Sequence, residues 1–272
     1  MKPNIRDHAA IDIHAHYGTY TRDHMPELAN SWMSGDAEAV AHRALAANIR
    51  WTVASPLTAL LPRFKADATV GNDEAWQVVP PTQGLLWWVV IDPLREETYA
   101  QAELHLQEAK CAGIKIHPEE HGYPIREHGD KIFEFAARHN AFVLTHSGEE
   151  NSLPADFVPY VNRYPDITLI VAHLGHGLEF DNTLQVRAIQ QSQHGNLYVD
   201  TSSSNSIKPG LIEWAVAEVG VERVLFGTDT PLYFAAMQRA RIEFSELTYD
   251  QKKQILWDNS ARLLKQHVNV DL

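Results

Sequence analysis

Cysteine is nearly absent from this sequence: Cys111 is the single copy among 272 residues. One thiol excludes a framework of intrachain disulfides and is typical of proteins kept in a reducing compartment. Long apolar runs are missing too, and no charged-then-apolar leader opens the chain. The sequence therefore predicts a cytoplasmic protein without a membrane-spanning segment or a membrane partner.

Basic residues are in short supply: 23 Lys and Arg face 35 Asp and Glu, which gives a formal net charge of −12 at pH 7. Nucleic-acid binding requires a basic surface, so we expect no nucleic-acid partner. The chain also lacks low-complexity tracts and short repeats. Because 44% of its residues are hydrophobic, it can bury a large core, and we predict a single domain over residues 1–272.

Eight apolar stretches alternate with helical patterns along the chain. They lie at residues 10–14, 51–55, 85–91, 114–117, 141–146, 167–172, 197–200 and 223–226. Strict alternation indicates a parallel sheet, and eight such units in about 250 residues are what a closed (β/α)8 barrel requires. A doubly wound open sheet would usually carry a glycine-rich turn after its first strand, and none is present. We therefore predict an α/β fold, a TIM-type barrel with an extra C-terminal helix near residues 249–266.

The first predicted strand runs into a His-x-His motif. Side chains of a strand alternate between its two faces, so His14 and His16 project to the same side. Two neutral imidazoles on one face can bind one divalent cation, and imidazole suits zinc, iron and nickel. Asp12 shares that face and could orient an imidazole. The motif indicates part of a metal site if further ligands lie at the ends of neighbouring strands.

Polar side chains of the required kinds do follow the later strands, at the end where barrel enzymes place their active sites. These residues are Lys115 and His117 on the fourth strand, His146 on the fifth, His173 on the sixth and Asp229 after the eighth. Histidine or aspartate at the same end of strands one, five, six and eight indicates a shared site. We therefore predict an active site at the mouth of the barrel.

Six motifs together make the chain resemble the amidohydrolase superfamily, and most of all its amidohydrolase-2 branch, which also contains metal-dependent decarboxylases. The motifs are DIHAH at 12–16, GIKIHP at 113–118, LTHSG at 144–148, VAHLG at 171–175, LFGTDTP at 225–231 and NSARL at 259–263. They span nearly the whole chain. The resemblance implies a somewhat distorted barrel around a divalent metal, commonly zinc, with one ion expected and a second not excluded.

The resemblance also assigns roles to the residues at the strand ends. The implied metal ligands are His14, His16, His146 and Asp229. His173 matches the histidine that orients or deprotonates the attacking water, with a second-metal ligand or a packing role as its alternatives. Lys115 has three open roles: a carboxylated bridge between two metals as in binuclear relatives, a cation that faces the substrate, or a partner in an ion pair inside the barrel.

Hydrolysis is the function that this metal site predicts first. A catalytic zinc keeps one position open for water and lowers the pKa of that water to about 7. Asp229 can take the proton of the water and pass it to the leaving group, while His173 can donate to the developing oxyanion. We therefore predict a metal-dependent hydrolase whose activated water attacks the amide, ester or lactone carbonyl of a small molecule.

The alternative is a metal-dependent, non-oxidative decarboxylase of an aromatic or enoic acid. It uses the same metal site but needs a cation to hold the substrate carboxylate, and Arg63, Lys115 and Arg126 are the candidates. His117 is a candidate substrate contact or fifth metal ligand. Both functions imply a small-molecule substrate, and the sequence leaves homo-oligomerisation open.

Overall fold

Eight parallel strands form the centre of the molecule in a computed structural model, which describes residues 4–272. The strands are β1 (Ala10–Tyr17), β2 (Ile49–Pro56), β3 (Leu85–Val90), β4 (Cys111–Ile116), β5 (Phe142–Thr145), β6 (Thr168–Val171), β7 (Leu197–Asp200) and β8 (Val224–Leu225). Each strand pairs with the next along the chain. The ring closes where the Ile13 amide donates to the Phe226 carbonyl at 2.9 Å. The predicted (β/α)8 barrel is confirmed.

Helices connect the successive strands. They are α1 (Glu27–Trp32), α2 (Ala37–Ala46), α3 (Ala68–Val78), α4 (Glu96–His105), α5 (Pro118–His121), α6 (Ile125–Arg138), α7 (Pro154–Arg163), α8 (Leu184–Gln191), α9 (Leu211–Val219), α10 (Ala235–Glu243), α11 (Tyr249–Lys253) and α12 (Asn259–Leu264). A π-helical stretch, Gln254–Asp258, joins α11 to α12. The extra C-terminal helix is therefore present, over residues 249–264.

The first strand is longer and less regular than its sequence predicts. The prediction ended it at residue 14, whereas β1 continues through Tyr17. Its register with β2 shifts between Asp12 and Ala15, and such irregularities are common next to active sites, where they redirect side chains. The last strand, β8, comprises only Val224 and Leu225. The barrel is thus distorted where its first and last strands meet.

Apolar side chains pack on both faces of the sheet. Trp88 of β3 joins a cluster with Ile13 and Leu86 inside the ring, whereas Trp87 and Val89 belong to the cluster between the sheet and the helices. This double burial explains why the third strand is an unbroken apolar run. The Trp88 Nε1–H group donates to the Ile13 carbonyl at 3.1 Å, which satisfies the indole in the interior.

None of the helices over residues 4–272 combines the length and the apolar character that a membrane crossing requires. A single domain over residues 1–272, a cytoplasmic location and the open question of homo-oligomerisation stay as predictions.

Candidate active site

A cavity of about 410 Å³ opens at the carboxyl ends of the strands. Most of the residues that the sequence singles out line it: His14, His16, Arg63, His117, His146, His173 and Asp229. Lys115 is fully buried next to His14. The closed ring of strands therefore brings together residues that are more than 200 positions apart in the chain.

The orientation of His14 is set by a carboxylate. Its Nδ1 lies 2.8 Å from Oδ2 of Asp200, and both side chains are fully buried. Burial lowers the pKa of His14 well below its usual range, so the ring is neutral and donates its Nδ1–H to Asp200. The lone pair on Nε2 then faces the cavity, which is the arrangement of a metal-bound histidine held by a carboxylate.

Asp200 is a residue of the candidate site that the sequence did not single out. Besides His14 it accepts hydrogen bonds from the amides of His173 and Ser202, both at 3.0 Å, and from the Ser202 hydroxyl. Its signal in the sequence was an acidic residue at the carboxyl end of the seventh strand. Asp12, in contrast, accepts from the Thr228 hydroxyl at 2.6 Å and so links β1 to the segment after β8.

Three of the predicted ligands converge on one point. Nε2 of His16 is 3.1 Å and Nε2 of His14 is 3.8 Å from Oδ1 of Asp229, and the three atoms lie within 4.8 Å of one another. Asp229 has a φ of 57°, a left-handed conformation that non-glycine residues rarely adopt and that concentrates at functional sites. Two imidazoles and a carboxylate at this spacing fit a divalent cation.

Lys115 contacts this group from inside the barrel. Its Nζ lies 3.0 Å from Nε2 of His14, so a cation bound by His14 must displace the amine from that nitrogen. Burial lowers the pKa of Lys115 to about 8, with Asp229 and Asp200 opposing the shift. The side chain of Lys115 thus contacts the imidazole of His14. The three predicted roles of Lys115 stay open.

The remaining histidines form a second group in the same cavity. The ring of His146 stacks on that of His117, with centroids 4.3 Å apart, and its Nε2 lies 3.0 Å from Oε2 of Glu149. The ring centroid of His173 is 4.8 Å from that of His14 and 4.9 Å from that of His146. Nδ1 of His173 lies 2.8 Å from the Ser202 hydroxyl. His146, the fourth predicted metal ligand, thus directs its Nε2 towards Glu149.

Two arginines stand at the rim of the cavity and share one carboxylate. Arg22 donates to both oxygens of Glu120 at 2.8 and 2.5 Å, and Arg63 donates to the same group at 3.1 Å. Glu120 is almost inaccessible to solvent, and Glu149 lies 3.8 Å from Arg63, so two carboxylates face the two guanidinium groups. Arg22 was missed by the sequence reasoning, although it lies in the long loop after β1, a kind of segment that is often functional.

Arg126, the third cation considered for the substrate carboxylate, lies elsewhere. Its exposed side chain pairs with Asp156 at 2.7 Å and lines a different depression of the surface. Tyr20 and Tyr233 also line the cavity and contribute aromatic surface. The structure therefore narrows the cations at the cavity rim to Arg63 and the unpredicted Arg22.

Known proteins with this fold include several decarboxylases. The chain matches the 2,6-dihydroxybenzoate decarboxylase from Rhizobium with a TM-score of 0.73 and 12% identity, over 95% of this chain and 99% of that one. It matches the dihydroxybenzoic acid decarboxylase from Polaromonas sp. JS666, solved with bound manganese and 2-nitroresorcinol, with a TM-score of 0.71 and 16% identity, over 95% and 97%. These likenesses concern the fold.

A relative found by sequence similarity is also a decarboxylase. The gamma-resorcylate decarboxylase of Polaromonas sp. (strain JS666 / ATCC BAA-500) is 22% identical over 124 residues, which cover 38% of this chain and only 36% of the relative. These relatives overturn the prediction of a hydrolase acting on an amide, ester or lactone. The error has a physical cause, because a cation held by His14, His16 and Asp229 can polarise a carbonyl group or bind a substrate carboxylate equally well. The motifs therefore do not distinguish the two reactions.

The family itself is shown by sequence. The model of the family described as amidohydrolase matches residues 11–266, which is nearly the whole chain. The matched segment includes every residue of the cavity named above and all of the strand-end motifs. This protein belongs to the amidohydrolase family of enzymes.

Proposed function

We propose that the protein is a metal-dependent decarboxylase that releases carbon dioxide from a small aromatic carboxylic acid without oxidation. One observation carries the proposal: the cavity combines a donor set for a divalent cation with two arginines at its rim. A guanidinium group and a bound cation can each hold an anionic oxygen atom of a substrate. The dihydroxybenzoate decarboxylases with the same fold support an aromatic acid as the substrate class.

The metal site in this proposal consists of His14, His16 and Asp229. A bound divalent ion supplies a Lewis acid that binds and polarises oxygen atoms of the substrate. Zinc remains the predicted ion, although the same donors admit manganese, which the Polaromonas structure contains. His146 as a fourth ligand stays a prediction, because its Nε2 contacts Glu149.

The rim arginines bind the anionic part of the substrate. Arg63 is partly exposed and lies in the cavity, so a substrate carboxylate can replace part of its contact with Glu120. Arg22 donates to the same carboxylate and keeps Glu120 in place. A charge-assisted hydrogen bond of this kind contributes roughly 1.5–3 kcal/mol. His117 faces the same cavity, and its contact with the substrate is part of the proposal.

Decarboxylation requires a proton at the carbon that loses the carboxylate. The bond between the ring carbon and the carboxylate carbon breaks, carbon dioxide leaves, and the proton takes its place on the ring. We assign delivery of this proton to the carboxyl group of Asp229, which regains it from water. His173 is the second catalytic candidate: its Nδ1 donates to the Ser202 hydroxyl, which leaves Nε2 of the neutral ring to accept a hydrogen bond from a hydroxyl group of the substrate. Each turnover consumes one proton and forms one carbon dioxide.

The proposal is tested by loading the metal-free protein with Zn²⁺ or Mn²⁺ and incubating it with hydroxylated benzoic acids, 2,6-dihydroxybenzoate among them. Carbon dioxide and the decarboxylated phenol are expected in equal amounts, and a chelator should abolish their formation. Arg63→Gln should lower kcat/KM about 10- to 100-fold, because it removes a charged hydrogen bond to the substrate.

Arg126→Gln is the matched control, since it removes the same charge from an exposed site outside the cavity. It should leave kcat/KM unchanged. Fully metal-loaded protein that releases no carbon dioxide from any acid of the panel would refute the proposed reaction. An equal loss of activity in both arginine variants would refute the assigned role of Arg63.

A further inference from the structure

A buried serine lies behind two histidines of the cavity. The side chain of Ser202 is fully buried, and its Oγ is 2.8 Å from Nδ1 of His173 and 3.1 Å from Nδ1 of His14. The same hydroxyl contacts Oδ1 of Asp200. One hydroxyl group thus contacts two imidazoles and a carboxylate, and it has a single hydrogen atom to donate among them.

The carboxylate of Asp200 determines where that hydrogen atom goes. A carboxylate only accepts hydrogen bonds, so the Ser202 hydroxyl donates to Oδ1 of Asp200. Nδ1 of His14 donates to the other oxygen of the same carboxylate, Oδ2. The lone pairs of the Ser202 oxygen are left as acceptors. Nδ1 of His173 must therefore carry a hydrogen atom in order to bond to that oxygen.

The backbone holds this arrangement in place. His173 has a φ of 70°, and its amide donates to Oδ1 of Asp200 at 3.0 Å. The next amide, of Leu174, donates to the carbonyl of Asp200 at 2.9 Å. A Cβ atom on Gly227 would lie 3.2 Å from Cβ of Ser202 and 3.3 Å from Cβ of Asp200, closer than carbon atoms pack favourably. The loops after β6, β7 and β8 are therefore fitted closely around this serine.

We propose that Ser202 is a positioning residue, which keeps the proton of the neutral His173 ring on Nδ1 and leaves the lone pair of Nε2 for the cavity. Asp200 sets the tautomer of His14 directly and that of His173 through Ser202. The use of this lone pair rests on the proposed function, in which Nε2 accepts a hydrogen bond from the substrate. The neutral ring then has no hydrogen atom on Nε2 to donate to an oxyanion, the role that the sequence predicted for His173.

Nuclear magnetic resonance reads the tautomer directly. Zinc-loaded, full-length protein is labelled with ¹⁵N in its histidine rings and measured at pH 8, and the His173 signals are identified by their loss in His173→Asn. Wild-type protein should carry the proton on Nδ1 of His173. In Ser202→Ala we expect most of the rings to carry it on Nε2, because a buried Nδ1–H group would have lost its acceptor, whereas an Nε2–H group can bond to water in the cavity.

Ser245→Ala is the matched control. Ser245 is also buried, and its hydroxyl donates to the Ile242 carbonyl at 2.8 Å, outside the cavity. This variant should keep the proton on Nδ1 of His173. A wild-type ring protonated on Nε2, or a Ser202→Ala ring that keeps its proton on Nδ1, overturns the proposal. If Ser202→Ala does not fold, neutron diffraction of deuterated wild-type crystals decides: deuterium on Nδ1 of His173 supports the proposal, and deuterium on Nε2 alone overturns it.

The tautomer measurement uses no substrate, so its result is separate from that of the test of the proposed function. With an acid that the protein decarboxylates, Ser202→Ala should lower kcat/KM about 10-fold at unchanged zinc content, because Nε2 of His173 can no longer accept a hydrogen bond from the substrate. An unchanged kcat/KM in a variant whose proton has moved to Nε2 would overturn the role of this tautomer in the reaction.

Discussion

Asp200→Asn tests how the barrel prepares His14 for a metal. Oδ1 of Asp200 accepts the amides of His173 and Ser202, so the amide oxygen of an asparagine takes that place. Its NH₂ group then faces Nδ1 of His14, where Oδ2 now lies at 2.8 Å. The imidazole must move its proton to Nε2, the atom that faces Asp229. We expect zinc affinity to fall about 10- to 100-fold, or about 1.4–2.8 kcal/mol.

The zinc affinities of Asp200→Asn and of the wild-type reference are measured by competition dialysis against a chelator of known affinity. Asp36→Asn is the matched control: it makes the same substitution at the N-cap of α2, where Asp36 accepts the Ala39 amide at 2.8 Å and asparagine caps equally well. Its zinc affinity should not change. If Asp200→Asn binds zinc within twofold of the reference, while its thermal unfolding is unchanged, the tautomer argument is refuted.

Three further predictions concern the barrel itself. Trp88→Phe removes the buried hydrogen bond to Ile13 and should lower the free energy of unfolding in urea by about 2 kcal/mol; a loss below about 0.5 kcal/mol would contradict this. Burial raises the pKa of the Cys111 thiol to about 12, so iodoacetamide should label it at pH 8 only in denaturant, and rapid labelling of native protein would refute its burial. Gly113→Ala places a methyl carbon 2.1 Å from the Phe142 carbonyl oxygen and should prevent soluble expression, a result that an unchanged melting temperature would exclude.

Every strand could be predicted to within a few residues, since buried strands are short apolar runs between helices. The errors lie at strand ends. The fourth strand was predicted from residue 114 but starts at Cys111, because Gly113 resembles the end of a helix in sequence. In the structure it is strand backbone with a φ of 154°, packed against β5. A glycine's neighbours decide its role, and these neighbours are distant in sequence.

The sequence predicted the position of the candidate site in the barrel but not the contacts between its side chains. The strand-end rule placed His14, His16 and Asp229 at one point, and the structure brings their ligand atoms within 4.8 Å of one another. The strand-end rule gave no indication of the pairing between Arg22 and Glu120, which lie 98 residues apart. The reaction class was wrong because the strand-end motifs do not distinguish hydrolysis from decarboxylation, which is the activity of the relatives.

Local pattern alone thus determined the barrel, the end of it that carries the chemistry, and the types of donor available there. Those properties depend on residue type and on spacing over a few positions, and both are contained in the sequence. Only the tertiary structure decided which nitrogen of His14 is free and where Nε2 of His146 points. Both depend on single hydrogen bonds of about 3 Å, and the bond to His14 comes from Asp200, 186 residues away. Atoms so far apart in sequence meet at that distance only once the ring has closed.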